Sequence, residues 1–75
     1  MALTNREKSI LRYKRYEKIR DGKGYKDIDV ARGAEIYPSI LSDWKNGRAT
    51  PALENAVKIA NFLGVPANDF IVAEE

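Results

Sequence analysis

Two short helical segments joined by a tight turn, over residues 25–47, constrain most strongly what this chain can fold into. A small residue, Ala31, stands in the middle of the first segment, and an apolar pair, Leu41 and Trp44, stands in the second. Gly47 then ends the second segment, as glycine commonly does after a helix. Helices that cross at about 90–120° need a small residue where they approach most closely. The sequence therefore predicts an angled pair of helices in close contact at Ala31.

The rest of the chain also predicts helices, each marked by residues that begin or end one. Thr4 and Glu7 fit a capping box at the start of a first helix. This helix should end near Asp21, because Gly22 and Gly24 follow and glycine favours a helix stop. Proline favours the first position of a helix, which predicts further starts at 38 and at 50–51. The later helices are predicted over about 27–33, 38–46, 51–64 and, as a short last turn, 66–70.

Apolar residues at helical spacing indicate which faces turn inward. Trp44 is expected to pack one side of its indole on the core and to place its N–H near the surface. Ile59 and Phe62 lie off the main stripe of the fourth helix. They are either secondary core or, with 70–72, a self-association surface. The other predicted core residues are Ile10, Leu11, Tyr13, Tyr16, Ile19, Val30, Ala31, Ala34, Ile36, Leu41, Leu53, Ala56, Val57, Ala60 and Leu63.

Size and composition narrow the class of protein. The 75 residues predict one domain, with 1–12 as an N-terminal extension of the first helix and 71–75 as a frayed tail. The chain has no cysteine and no histidine, which excludes zinc fingers, Cys–His nucleophiles and histidine-based metal centres. It also has no glycine-rich phosphate loop and no apolar run long enough for a membrane span. We therefore expect a cytoplasmic protein that is not an enzyme, binds no cofactor and has no evident small-molecule ligand.

The charge is unevenly placed along the chain. Residues 1–38 hold ten Lys and Arg against six Asp and Glu, whereas residues 39–75 hold three against five. A basic N-terminal half suits a polyanionic partner. The basic residues of the first helix form either a solvated face or a surface that meets DNA or another partner: Arg6, Lys8, Arg12, Lys14, Arg15 and Lys18.

Four short segments carry a resemblance to a known family. They are Val30-Ala31, Ser42-Asp43-Trp44-Lys45-Asn46-Gly47-Arg48, Thr50-Pro51-Ala52-Leu53-Glu54 and Leu63-Gly64-Val65. Across residues 13–70 the chain resembles the Cro/phage-repressor type of helix-turn-helix domain, the XRE family. The resemblance implies an all-α, compact five-helix lambda-repressor-like domain with the helix-turn-helix at helices 2 and 3. It also implies a sequence-specific transcriptional regulator of bacterial or phage origin, a small prophage-type repressor. Its recognition helix, at about 38–46, is expected to enter the major groove of double-stranded DNA.

Two residues depart from the family's pattern. The turn between helices 2 and 3 usually carries glycine in a left-handed conformation, and here it carries Glu35, at a cost of about 1 kcal/mol. The usual Ser or Thr at the start of helix 3 is Tyr37, which cannot cap by the same hydrogen bond. Its hydroxyl is available instead to a phosphate or a base.

The resemblance assigns two sets of DNA-contacting residues by position. The proposed phosphate-binding residues are Lys26, Lys45, Asn46 and Arg48, and the proposed base-reading residues are Tyr37, Pro38, Ser39, Ser42 and Asp43. Serine can pair with several bases, and an aspartate can accept a hydrogen bond from a cytosine amino group. None of the base-reading residues is Arg, Asn or Gln, so direct readout is weak, and either DNA shape contributes or specificity is modest.

The sequence leaves two questions open: whether the fold binds DNA or a protein, and how two copies would associate. The same fold could serve as a protein-interaction module, like an antitoxin or an anti-repressor, with weak or no DNA binding. Relatives of this type bind DNA as dimers, so a homodimer is expected through the surface from helix 4 to the tail, or one that forms only on DNA.

Overall fold

The computed structural model describes residues 2–70, and these are all helix, turn and loop. Four α-helices follow one another along the chain: α1 Asn5–Gly22, α2 Asp27–Ala34, α3 Pro38–Lys45 and α4 Leu53–Leu63. A single 3-10 turn, Ala67–Asp69, stands where the fifth helix was expected. The all-helical class is confirmed, whereas the described part of the chain contains four α-helices rather than five. The predicted frayed tail, 71–75, lies outside the described residues.

The ends of α1, α2 and α3 follow from their local sequence. Thr4 and Glu7 form the predicted capping box: each backbone N–H donates to the other residue's side chain at 3.1 Å. Pro38 is the first residue of α3, as predicted. Glu35 adopts the left-handed conformation expected at the turn, with φ 58° and ψ 47°. The N–H of Ile36 donates to the carbonyl of Ala31 at 3.0 Å, which closes the turn between α2 and α3.

The start of α4 differs from the prediction. The helix begins at Leu53, and Ala52 is its N-cap, with an extended backbone at φ −59° and ψ 156°. Thr50 and Pro51 therefore belong to the loop after α3. The prediction was wrong because the fixed φ of proline, about −65°, suits extended backbone as well as a first helical position.

The inward face of α4 also differs from the predicted stripe. Leu53 is 70 % exposed and Val57 is 41 % exposed, whereas Ile59 is fully buried. The buried residues of α4 are Ala56, Ile59, Ala60 and Leu63. Both sets have helical spacing, so periodicity alone could not choose between them. Of the two interpretations of Ile59 and Phe62, secondary core is confirmed, because Phe62 also packs against the core.

An aromatic cluster joins α1, α3 and the end of the described chain. The rings of Tyr16 and Trp44 stack with centroids 5.0 Å apart, and the ring of Phe70 lies 5.9 Å from that of Trp44. Tyr13 meets Trp44 edge-on at 5.6 Å. Trp44 is therefore fully buried, and its Nε1–H has no hydrogen-bond partner among residues 2–70. The expectation that this N–H lies near the surface was wrong, because neighbouring aromatic rings enclose the indole.

The remaining predicted core is mostly confirmed. Val30, Ala31, Ala34 and Leu41 are buried between the helices, while Leu11 is 41 % exposed on the outer side of α1. Within residues 2–70, no helix combines the length and apolar character that crossing a membrane requires.

Candidate nucleic-acid interface

The outer face of α3 is free because its other face supplies the core. Leu41 and Trp44 turn inward and are almost fully buried. Tyr37, at the N-cap, is 78 % exposed and makes no side-chain cap hydrogen bond. Pro38, Ser39 and Ser42 are exposed and Asp43 is half-buried. The structure thus brings all five predicted base-reading residues to one helix and its N-cap.

Asp43 and Arg48 form an ion pair next to this face. The Nε of Arg48 donates to Oδ1 of Asp43 at 2.9 Å, and the backbone N–H of Arg48 donates to the Asp43 carbonyl at 2.8 Å. Both side chains keep about half their surface in solvent, at 44 % for Asp43 and 60 % for Arg48. A pair this exposed adds little stability. The pair does, however, place the positive charge of Arg48 beside the negative charge of Asp43 on this face of α3.

Asn46 and Lys45 are the other two predicted phosphate-binding residues at this end of α3, and their side chains make different contacts. Asn46 is the C-cap, and its Nδ2 donates to the carbonyl of Ser42 at 2.8 Å. Lys45, the last residue of α3, is exposed. In the free protein Asn46 therefore completes the helix end, while Lys45 extends into solvent.

Lys26 lies on a different element, at the N-cap of α2. Its backbone N–H donates to Oδ2 of Asp29 at 2.9 Å. The lysine side chain is exposed. The carboxylate of Asp29 thus occupies a donor at the start of α2, where a phosphate would otherwise bind. Asp27, two residues earlier, points elsewhere, as expected for positions two apart on a helix.

A polar cluster beneath the start of α2 was not anticipated from the sequence. Asp27 accepts hydrogen bonds from Oη of Tyr13 at 2.7 Å, Oη of Tyr16 at 2.8 Å and Nη1 of Arg20 at 2.7 Å. Arg20 also pairs with Asp21 at 2.7 Å. The tyrosines have the spacing of core residues, and no local pattern links α1 to Asp27. Only the tertiary arrangement of the helices brings these groups together.

The contacts within this cluster set the protonation states of its members. Burial raises the pKa of the Asp27 carboxyl, but the hydrogen bonds from Tyr13, Arg20 and Tyr16 outweigh burial and lower the pKa below its ordinary value. Burial raises the pKa of both tyrosines, and the neighbouring Asp27 raises it further. Near neutral pH the cluster therefore holds one carboxylate, one guanidinium and two neutral hydroxyls, which joins α1 to the first residue of α2.

Metal chemistry gains no support from the described residues. Over 2–70, no group of three or more carboxylate side chains is placed to hold a metal ion.

Comparisons with known proteins agree on one family. A family model described as helix-turn-helix matches residues 17–70. The chain is also 31 % identical over 61 residues to a protein of Deinococcus deserti named HTH-type transcriptional regulator DdrOP3. That alignment covers 81 % of this chain and 47 % of the relative, so the chain spans about half the relative's length.

Proposed function

The chain belongs to the helix-turn-helix family, of the Cro/phage-repressor type, and on that premise we propose that it is a sequence-specific regulator of transcription that binds double-stranded DNA. The observation that carries the proposal is the division of α3 into two faces. One face anchors the helix through Leu41 and Trp44, and the other presents Tyr37, Ser39 and Ser42 to solvent. A helix held in this way can enter the major groove, about 12 Å wide, without rearrangement of the fold.

In this proposal α3 reads bases and the residues that follow it set the register. Ser39 and Ser42 donate to or accept from base edges, while Tyr37 and Pro38 offer apolar surface to thymine methyl groups. Lys45 and Asn46 contact phosphates beside the groove, and Lys26 does so at the start of α2. The protein then acts as a prophage-type repressor in the bacterial cytoplasm, by occupying its site in competition with RNA polymerase or another regulator.

The ion pair of Asp43 and Arg48 explains how an acidic residue can lie on the face of α3 proposed to meet DNA. An unpaired carboxylate would be repelled by the phosphates, and the Arg48 guanidinium 2.9 Å away offsets that repulsion. Asp43 can then accept a hydrogen bond from a cytosine amino group. Arg48, proposed from the sequence as a phosphate contact, also acts in this proposal by compensating Asp43.

The first experiment is selection from a random duplex library at low and at moderate salt, followed by salt titration on the enriched duplex. We expect an enriched, roughly two-fold-symmetric site and an affinity that falls with salt, with a slope of log K against log salt of about −0.9 per phosphate contacted.

Variants separate base reading from phosphate binding. The double variant S39A/S42A should change the enriched sequence and keep the salt slope, whereas K45M should keep the sequence and reduce the slope by about one phosphate. K58M is the matched control, since Lys58 is exposed on α4 and belongs to none of the proposed DNA-contacting sets. Absence of enrichment and of duplex binding at low salt would reject the proposal in favour of a protein-interaction module on the same fold.

A further inference from the structure

The first turn of α1 packs against the end of the recognition helix. Gly47, which follows α3, has a left-handed backbone with φ 72°. A Cβ added to Gly47 would lie 2.6 Å from Cγ of Arg6 and 3.1 Å from Cδ1 of Ile10. The aliphatic stem of Arg6 therefore lies directly on the Gly47 backbone, and a side chain at position 47 would have to displace that stem as well as adopt a strained φ.

This contact places Arg6 among residues already proposed to bind phosphates. Gly47 is flanked by Asn46 and Arg48, and Lys45 is the last residue of α3. Arg6 comes from the other end of the sequence, outside the residues 17–70 that match the family. Its position beside α3 is thus a product of the fold, and family resemblance does not assign it a role.

The charge of Arg6 is available to a ligand. Arg6 is exposed, and it forms no ion pair with any residue of the described range 2–70. Its neighbour Glu7 uses its carboxylate to accept from the backbone N–H of Thr4, and the hydrogen bonds with Thr4 lower the pKa of that carboxyl. Arg48, by contrast, is paired with Asp43. Over residues 2–70, Arg6 therefore brings a cation without an ion-pair partner to Gly47, directly after α3.

We propose that Arg6 contacts a DNA phosphate beside the C-terminal end of α3, so that the first turn of α1 lengthens the surface that the protein applies to duplex DNA. This inference rests on the proposed function, because it assigns a further contact at the same interface. A guanidinium suits the role, since it presents several donors in a plane to phosphate oxygens.

The competing explanation is that Arg6 only covers Gly47. The variant R6M distinguishes the two, because methionine keeps an unbranched apolar stem and removes the charge. K58M removes one positive charge at an exposed residue of α4 that belongs to none of the proposed DNA-contacting sets, so it controls for net charge. R6K keeps both stem and charge and controls for the change of side chain.

The measurement is the salt dependence of binding to the enriched duplex. Circular dichroism first establishes the temperature at which each variant begins to unfold, and every titration is done below it. We expect R6M to reduce the slope of log K against log salt by about 0.9, as loss of one phosphate contact requires, and K58M and R6K to keep the wild-type slope. Wild-type binding with equal slopes for R6M and K58M would overturn the inference and leave the proposed function intact. Failure of the wild-type protein itself to bind duplex at low salt would overturn both.

Discussion

At the scale of single residues, the carboxylate of Asp27 is a polar link between two helices. One carboxylate accepts from Tyr13, Tyr16 and Arg20, all within 2.8 Å, and so joins three positions of α1 to the start of α2. Removing such an acceptor leaves donors in a partly buried place without a partner, which costs more than the hydrogen bonds themselves are worth.

Replacing this carboxylate should change how stability depends on pH. Because the pKa of Asp27 is lower in the folded protein than its ordinary value, its stabilising effect is present above that value and is lost as pH falls through the folded pKa. We expect D27N to lower the free energy of unfolding at pH 7 by about 1–3 kcal/mol. The difference in the free energy of unfolding between D27N and wild type should become smaller at acidic pH.

Urea unfolding of both proteins between about pH 7 and pH 2 measures this effect. D69N is the control, since Asp69 is exposed in the 3-10 turn and outside the cluster. A gap between D27N and wild type that stays constant over the whole pH range would show that the carboxylate is not the source of the stability.

At the scale of helices, α2 and α4 approach closely at Gly33. A Cβ added there would overlap the ring of Phe62 on α4. The same ring also contacts Tyr25, with centroids 4.9 Å apart. Gly33 thus performs for α2 and α4 the spacing role that the sequence assigned to Ala31 for α2 and α3.

We expect G33A to destabilise the protein by about 1–2 kcal/mol, because the cost of overpacking exceeds the gain of up to about 1 kcal/mol from replacing a helical glycine. G22A is the matched control: Gly22 ends α1, and a Cβ there meets nothing within 4 Å. Thermal unfolding of G33A alone and in the F62A background checks the cause. If the cost of G33A were the same in both backgrounds, the Phe62 ring would not be responsible.

At the scale of the whole molecule, dimensions bear on how two copies could share a DNA site. The Cα atoms of the described residues span 36 × 22 × 21 Å along the principal axes. Half-sites for domains of this type are about 34 Å apart. Only the long dimension of the Cα span reaches this spacing, so we expect two copies to come into contact where that dimension lies along the DNA.

We therefore propose that two copies occupy one two-fold-symmetric duplex, with any contact between them forming on DNA. Sedimentation velocity on duplexes carrying one or two enriched half-sites should give one and two bound copies respectively. A single copy bound to the complete site at saturating protein would contradict this arrangement.

Much of the local structure was predictable from the sequence. The capping box at Thr4, the first residue of α3 at Pro38 and the left-handed turn at Glu35 depend on residues within a few positions of each other. The family resemblance is likewise confirmed by the match over 17–70. The DNA-contacting roles of the residues on and around α3 remain predictions.

What the sequence by itself determined is the presence of α1, α2, α3 and α4, the turn between α2 and α3 and the family, since each depends on local spacing. Only the tertiary structure decided which face of α4 turns inward, how deeply Trp44 is buried and that Arg20 of α1 meets Asp27 of α2. It also decided that Arg6 lies on Gly47, forty-one positions away along the chain. These contacts join residues of different helices, and their distances depend on how the helices pack, a property that no local pattern contains.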